Sequence, residues 1–81
     1  MQIHTRFFAT YRELMGTAEM EVSLPDGATV EDLVGVLRGR GGDAVDLPVR
    51  PAVAVNRTYS RLGQTLVEGD EVAFIPPVAG G

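Results

Sequence analysis

The chain has 81 residues, seven basic against eleven acidic, a formal net charge of -4 and no cysteine. A chain of this length holds one domain and buries only about 60% of its unfolded surface, which excludes a large internal active site. The acidic balance disfavours a nucleic-acid backbone or an anionic membrane as partner and favours a basic protein surface, while the missing thiols exclude disulfides, a thiol nucleophile and cysteine-held metal.

Met1 to Ala9 alternates as a strand, with Ile3, Thr5 and Phe7 toward a core and His4, Arg6 and Phe8 on the other face. Phe8 is an aromatic on a polar face, either a binding residue or one shielded by the loop that follows. Thr10 to Gly16 reads as a connection, with Arg12 and Glu13 outside and Leu14 or Met15 turned inward. Ala18 to Leu24 alternates again, with Met20, Val22 and Leu24 inward, and Pro25-Asp26-Gly27 closes it as a turn.

Thr29-Val30-Glu31-Asp32 has the form of a capping box, and Val30, Leu33, Val34 and Leu37 give the apolar stripe of an amphipathic helix. Gly35 interrupts that stripe and is expected to mark a close approach to a strand. Arg38-Gly39-Arg40-Gly41-Gly42 ends the helix. It is no phosphate loop, since it follows a helix and lacks a Lys-Ser/Thr pair. Asp43 to Pro51 is expected to be irregular, with Val45, Leu47 and Val49 tucked under the sheet edge. Ala52 to Asn56 reads as a short inner strand, Asn56-Arg57-Thr58 as a turn, and Tyr59 as partly exposed. Leu62, Leu66 and Val67 are expected as satellite core contacts. Glu68-Gly69-Asp70 then turns the chain into a last strand, Glu71 to Ile75, with Val72 and Phe74 inward.

The order predicts a small α+β roll, a mixed sheet with one helix on one face. Phe8, Tyr59 and Ile75 fall on the opposite face and are expected to form an apolar interface patch. Conventional catalysis has little to work with. His4, the single histidine, has no serine or cysteine nucleophile near it in the chain, Glu31 and Asp32 are explained by the cap, and neighbouring Asp70 and Glu71 point to opposite faces. No clustered metal ligands are visible, so neither a metal nor a permanently bound cofactor is expected.

The chain ends Pro76-Pro77-Val78-Ala79-Gly80-Gly81. Consecutive prolines neither continue a helix nor donate to a ladder, so they form a stiff stalk, and these residues could reach about 20 Å when extended. Gly80 and Gly81 lack a Cβ, fit a narrow channel and leave the final carboxylate open. A rigid spacer with a slim tip suits a carboxylate that is activated as an acyl-adenylate and then converted to a thiocarboxylate or joined to an amine. Residues 1–75 are accordingly expected as the domain and 76–81 as its reactive tail.

Phe7-Phe8-Ala9 with Arg12-Glu13-Leu14 and Gly16, Val55-Asn56, and the block from Gly69 to Gly81 together resemble the small subunits of molybdopterin synthase, a family of ubiquitin-like sulfur carriers. The resemblance runs nearly end to end, and its terminal block is the most specific part. It implies a ubiquitin-like β-grasp fold. It also implies that Gly81 is adenylated by an enzyme similar to ubiquitin-activating enzymes, using ATP and a sulfur donor that this chain does not itself hold. The resulting thiocarboxylate would enter the large subunit of a heterotetramer and give sulfur to cyclic pyranopterin monophosphate. Phe8, Tyr59 and Ile75 would meet that subunit, with Pro76, Pro77, Val78 and Ala79 threading toward its site. Tyr59 stands where an aliphatic is frequent and Ile75 where phenylalanine is frequent, so the partner's pocket would be shaped differently. Sulfur carriers for thiazole, cysteine or transfer RNA thiolation, and modifiers conjugated to lysines, share this tail chemistry. An inert ubiquitin-like interaction module and a small RNA-binding domain are the competing classes, the latter disfavoured by charge. The expected location is cytoplasmic, no apolar run reaching signal or membrane-span length.

Overall fold

A computed structural model describes residues 1–77. The elements are β1 (Gln2–Phe7), α1 (Ala9–Met15), β2 (Glu19–Ser23), α2 (Val30–Arg38), a 3-10 turn (Gly42–Asp46), β3 (Ala52–Val55), β4 (Thr58–Ser60) and β5 (Glu71–Ile75). The strands lie in the order β2-β1-β5-β3-β4. β1 and β5 run parallel and the other neighbours antiparallel. This mixed sheet with its main helix on one face is the ubiquitin-like β-grasp arrangement.

Alternation places the core. Ile3, Phe7, Val22, Val53, Val55, Val72 and Phe74 project to one side of the sheet and form one buried cluster with Val30, Leu33, Val34 and Leu37 of α2. Phe7 and Phe74 are register partners, and their rings meet at a centroid distance of 5.4 Å. Thr5 sits fully buried among them, its hydroxyl donating to the Met20 carbonyl at 2.6 Å, so the polar atom is satisfied. The capping box at α2 is formed on both sides: the Asp32 amide donates to Thr29 Oγ1 at 3.2 Å and the Thr29 amide to Asp32 Oδ2 at 2.9 Å.

Several expectations are corrected. The stretch after β1 is a helix, α1, whose residues Tyr11, Leu14 and Met15 sit at helical spacing, with Tyr11 buried and the other two packed against the core. β1 stops at Phe7, before Ala9, whose φ is 47°. After Val55 the chain makes a two-residue hairpin through Asn56 (φ 50°) and Arg57 (φ 72°), the signs of a type I′ turn, and Tyr59 lies in a paired strand, β4. Leu47 is buried as expected, but Val45 is exposed, since the 3-10 turn spends its inward positions on Ala44 and Leu47, and Val49 and Val67, in loops outside that turn, are exposed as well. Met20 is half-buried beside the core. A Cβ on Gly35 would meet nothing within 4 Å, so no strand approaches it closely.

Candidate functional site

β5 is a central strand, bonded to β1 on one side and β3 on the other, so the chain leaves the middle of the sheet. Ile75 is its last ladder residue, paired with Ala52, and Pro76 and Pro77 follow. Pro76 has no N–H to extend the ladder, and the sheet must release the chain there. Beside this exit lies a concavity of about 390 Å³ lined by Tyr11, Pro48, Arg50, Pro51, Ala52, Tyr59, Ile75, Pro76 and Pro77.

The structure therefore brings Tyr59, Ile75, Pro76 and Pro77 to one place. Tyr59 is 76% exposed there, a large ring with little of its own chain covering it. Phe8 does not line the concavity. Its backbone is still extended (φ -118°, ψ 152°) as it caps α1, and one step past the Phe7–Phe74 pair brings it level with Ile75. Arg6 covers one side of the Phe8 ring, the guanidinium carbon 5.4 Å from the centroid. Phe8 is thus neither a free ring nor one shielded by a loop. Val78, Ala79, Gly80 and Gly81 lie outside the described residues.

Sequence reasoning missed the surroundings of His4. Its Nδ1 is 2.6 Å from Glu21 Oε1 and its Nε2 is 2.9 Å from Glu19 Oε1. The hydrogen bond to Glu21 foremost, then that to Glu19, holds the imidazole above its ordinary value despite the opposing effect of desolvation. The signal was present in the β1–β2 register, which sets His4 opposite Glu21 and Glu19 two residues away on the same face. Tyr11 was missed for a different reason: the helical spacing of Tyr11, Leu14 and Met15 spans a single short element. Burial pushes its phenol up.

Asp70 is a third unexpected feature. It is buried, and its carboxylate accepts from Asn56 Nδ2 and from the Val67 amide, each at 2.8 Å. Asn56 Oδ1 in turn accepts from the Glu71 amide at 3.0 Å. The network fastens the hairpin turn to the start of β5, opposite the end from which the tail leaves. Among the described residues no three His, Cys, Asp or Glu side chains are grouped to hold a metal ion, and no helix is long and apolar enough to cross a membrane.

Comparison with known proteins agrees with this architecture. Residues 5–81 match the ThiS family. The chain is 40% identical over 84 residues to the molybdopterin synthase sulfur carrier subunit of Chlamydomonas reinhardtii, covering all of both chains. The crystal structure of small archaeal modifier protein 1 from Haloferax volcanii superposes with a TM-score of 0.79 at 29% identity, over 95% of this chain and 98% of that one. A complex of subunits 1 and 2 of the molybdopterin-converting factor from Helicobacter pylori contains the same fold, with a TM-score of 0.71 at 22% identity and full coverage of both chains.

Proposed function

Since the chain belongs to the ThiS family, we propose that it is the sulfur carrier subunit of a molybdopterin synthase, working in the cytoplasm as the donor rather than the catalyst. The observation that carries this reading is the exit of the tail: a Pro-Pro stalk leaving a central strand beside the exposed Tyr59 and half-buried Ile75, with Gly80-Gly81 at its end. The sequence likeness to a curated sulfur carrier subunit over its whole length supports it.

The chemistry follows from the carboxylate. An oxygen of Gly81 attacks the α-phosphate of ATP on a ubiquitin-activating-like adenylyltransferase, and pyrophosphate leaves. Hydrosulfide from the sulfur source then attacks the acyl carbon, the C–O bond to AMP breaks, AMP leaves, and loss of the thiol proton gives a thiocarboxylate. A large subunit covering Phe8, Tyr59 and Ile75 would receive the tail, with Pro76, Pro77, Val78 and Ala79 spanning the distance to its site, where sulfur passes to cyclic pyranopterin monophosphate. This chain supplies reach, a slim tip and a docking face. The pterin and nucleotide sites belong to its partners.

A second reading is favoured by the likeness to the archaeal modifier: the activated Gly81 would acylate an amine on a target protein. The chain itself contains seven arginines and no lysine, so a modifier of this sequence could not be extended through its own side-chain amines. Incubation with activating enzyme, ATP and a sulfur source, read by intact mass, tests the first reading. An oxygen-to-sulfur mass increase on the intact chain, followed by its loss on addition of large subunit and pterin precursor, is expected. Accumulation of amide-linked conjugates with no sulfur-bearing species would favour the second.

A further inference from the structure

We propose that Arg6 sets partner specificity on the outward sheet face by taking a carboxylate that the partner presents over it, an inference that rests on the docking face described above. The register across the sheet places Glu19, Arg6, Ala73, Ala54 and Tyr59 in one row. Ala73 and Ala54 are the small residues in the middle of this row, with Arg6 on one side and Tyr59 on the other. Phe8 and Ile75 occupy the next level toward the tail.

Arg6 is half-exposed, and its ion pair with Glu19 is a long one. Its guanidinium lies over the Phe8 ring, and its Nε is buried without a hydrogen-bond partner. The acid at hand is Glu19, whose Oε1 is 3.9 Å from that Nε, too far for a hydrogen bond, and the same oxygen is engaged by His4 Nε2 at 2.9 Å. Glu19 itself is 57% exposed, splayed toward water at the edge strand.

A partner that covers Phe8 must also cover Arg6, whose guanidinium lies over that ring. Removing a cation from water with donors unpaired costs several kcal/mol, whereas a carboxylate matched to the planar guanidinium fork can make two parallel, charge-assisted bonds. The partner's surface therefore fits only if it carries an acid opposite Arg6. Because the chain is acidic overall, long-range attraction favours a basic surface, and a single acid within it acts as a discriminating mark: a surface lacking it would bury the arginine unpaired.

The test is calorimetric titration of the full chain and its variants against the molybdopterin synthase large subunit of the same organism at two salt concentrations. Arg6→Gln is expected to weaken binding at least about thirtyfold and to flatten its salt dependence. Arg6→Lys should recover only part, since an ammonium lacks the fork. Glu19→Gln, which removes the chain's own acid, should bind no more weakly than wild type, because the counter-charge comes from the partner. Wild-type affinity in Arg6→Gln would overturn the inference alone. A loss in Glu19→Gln equal to that in Arg6→Gln would also overturn it, by showing the pair to be internal, and this arm does not depend on the folding of an Arg6 variant. No binding by the wild-type chain would overturn the partner reading and this inference with it.

Discussion

Phe74 and Ile75 are adjacent in β5 and face opposite sides of the sheet. Phe74 is fully buried, stacked against Phe7 on β1 and paired with Val53 on β3, whereas Ile75 lies half-buried on the outward face beside the tail. Phe74→Ala removes most of a buried aromatic from the centre of the core, and the loss of transfer energy plus the cavity left behind costs about 3–5 kcal/mol. At about 2.1 cal/mol/K of unfolding entropy per residue, 81 residues give about 170 cal/mol/K, so the thermal midpoint should fall by about 18–29 °C. Ile75→Asp should cost the isolated domain only about 1 kcal/mol, the scale of strand preference at a half-covered position. Its effect belongs at the interface, where a charge in the centre of an apolar contact should weaken binding to the large subunit by at least about 2 kcal/mol. Thermal unfolding by circular dichroism and calorimetric titration separate the two. An unchanged midpoint in Phe74→Ala, or a collapse of Ile75→Asp comparable to it, would refute the alternation on which core and docking face both depend.

Other expectations follow from particular groups. Thr29→Ala removes one half of the capping box and should lower stability by about 1 kcal/mol by chemical denaturation. Tyr59→Asp should weaken binding to the large subunit while leaving the unfolding midpoint of the chain near wild type, since the ring is exposed. His4, raised by its hydrogen bonds to Glu21 and Glu19, should stabilise the fold fully below the unfolded value near 6.5, and that contribution should fade as pH rises through its folded value. A His4→Gln variant compared with wild type at pH 5 and pH 8 checks the sign: the stability gap should be larger at pH 5, and a gap that grows toward pH 8 would contradict the assignment.

Much of this was legible in the sequence because the residues concerned act through period and local chemistry. Ile3, Thr5 and Phe7, and Val72 and Phe74, declare their face by alternation alone, and Thr29 with Asp32 declares the start of α2 through a motif contained in four residues. What was missed depends on partners distant in the chain or on elements too short for a period to show. Three residues of β4 cannot display alternation, and its hairpin uses Arg57 at a left-handed position where glycine is the usual signal. Val45 reads as core because it is a valine, but the tight 3-10 turn gives its inward places to Ala44 and Leu47, and Val49, past that turn, is exposed as well. Asp70 appeared to be an ordinary turn residue. Its burial is made tolerable by Asn56, fourteen residues away. On the docking face, parity named Phe8, Tyr59 and Ile75 and set Arg6 on the side of Phe8, yet only the structure shows the Arg6 guanidinium lying over the Phe8 ring.

Gly81 as the carrier position is tested by intact mass of the wild-type chain and of a chain ending at Gly80, each incubated with activating enzyme, ATP and a sulfur source and then with large subunit and pterin precursor. The shortened chain still ends in a glycine carboxylate, so any loss must come from position. One extended residue is about 3.3 Å, well beyond the roughly 1 Å misplacement that can cost a reaction a factor near 100. Wild type should gain sulfur and deliver it, while the shortened chain should fold normally and fail to deliver. Charging and delivery by the shortened chain at the wild-type rate would contradict this.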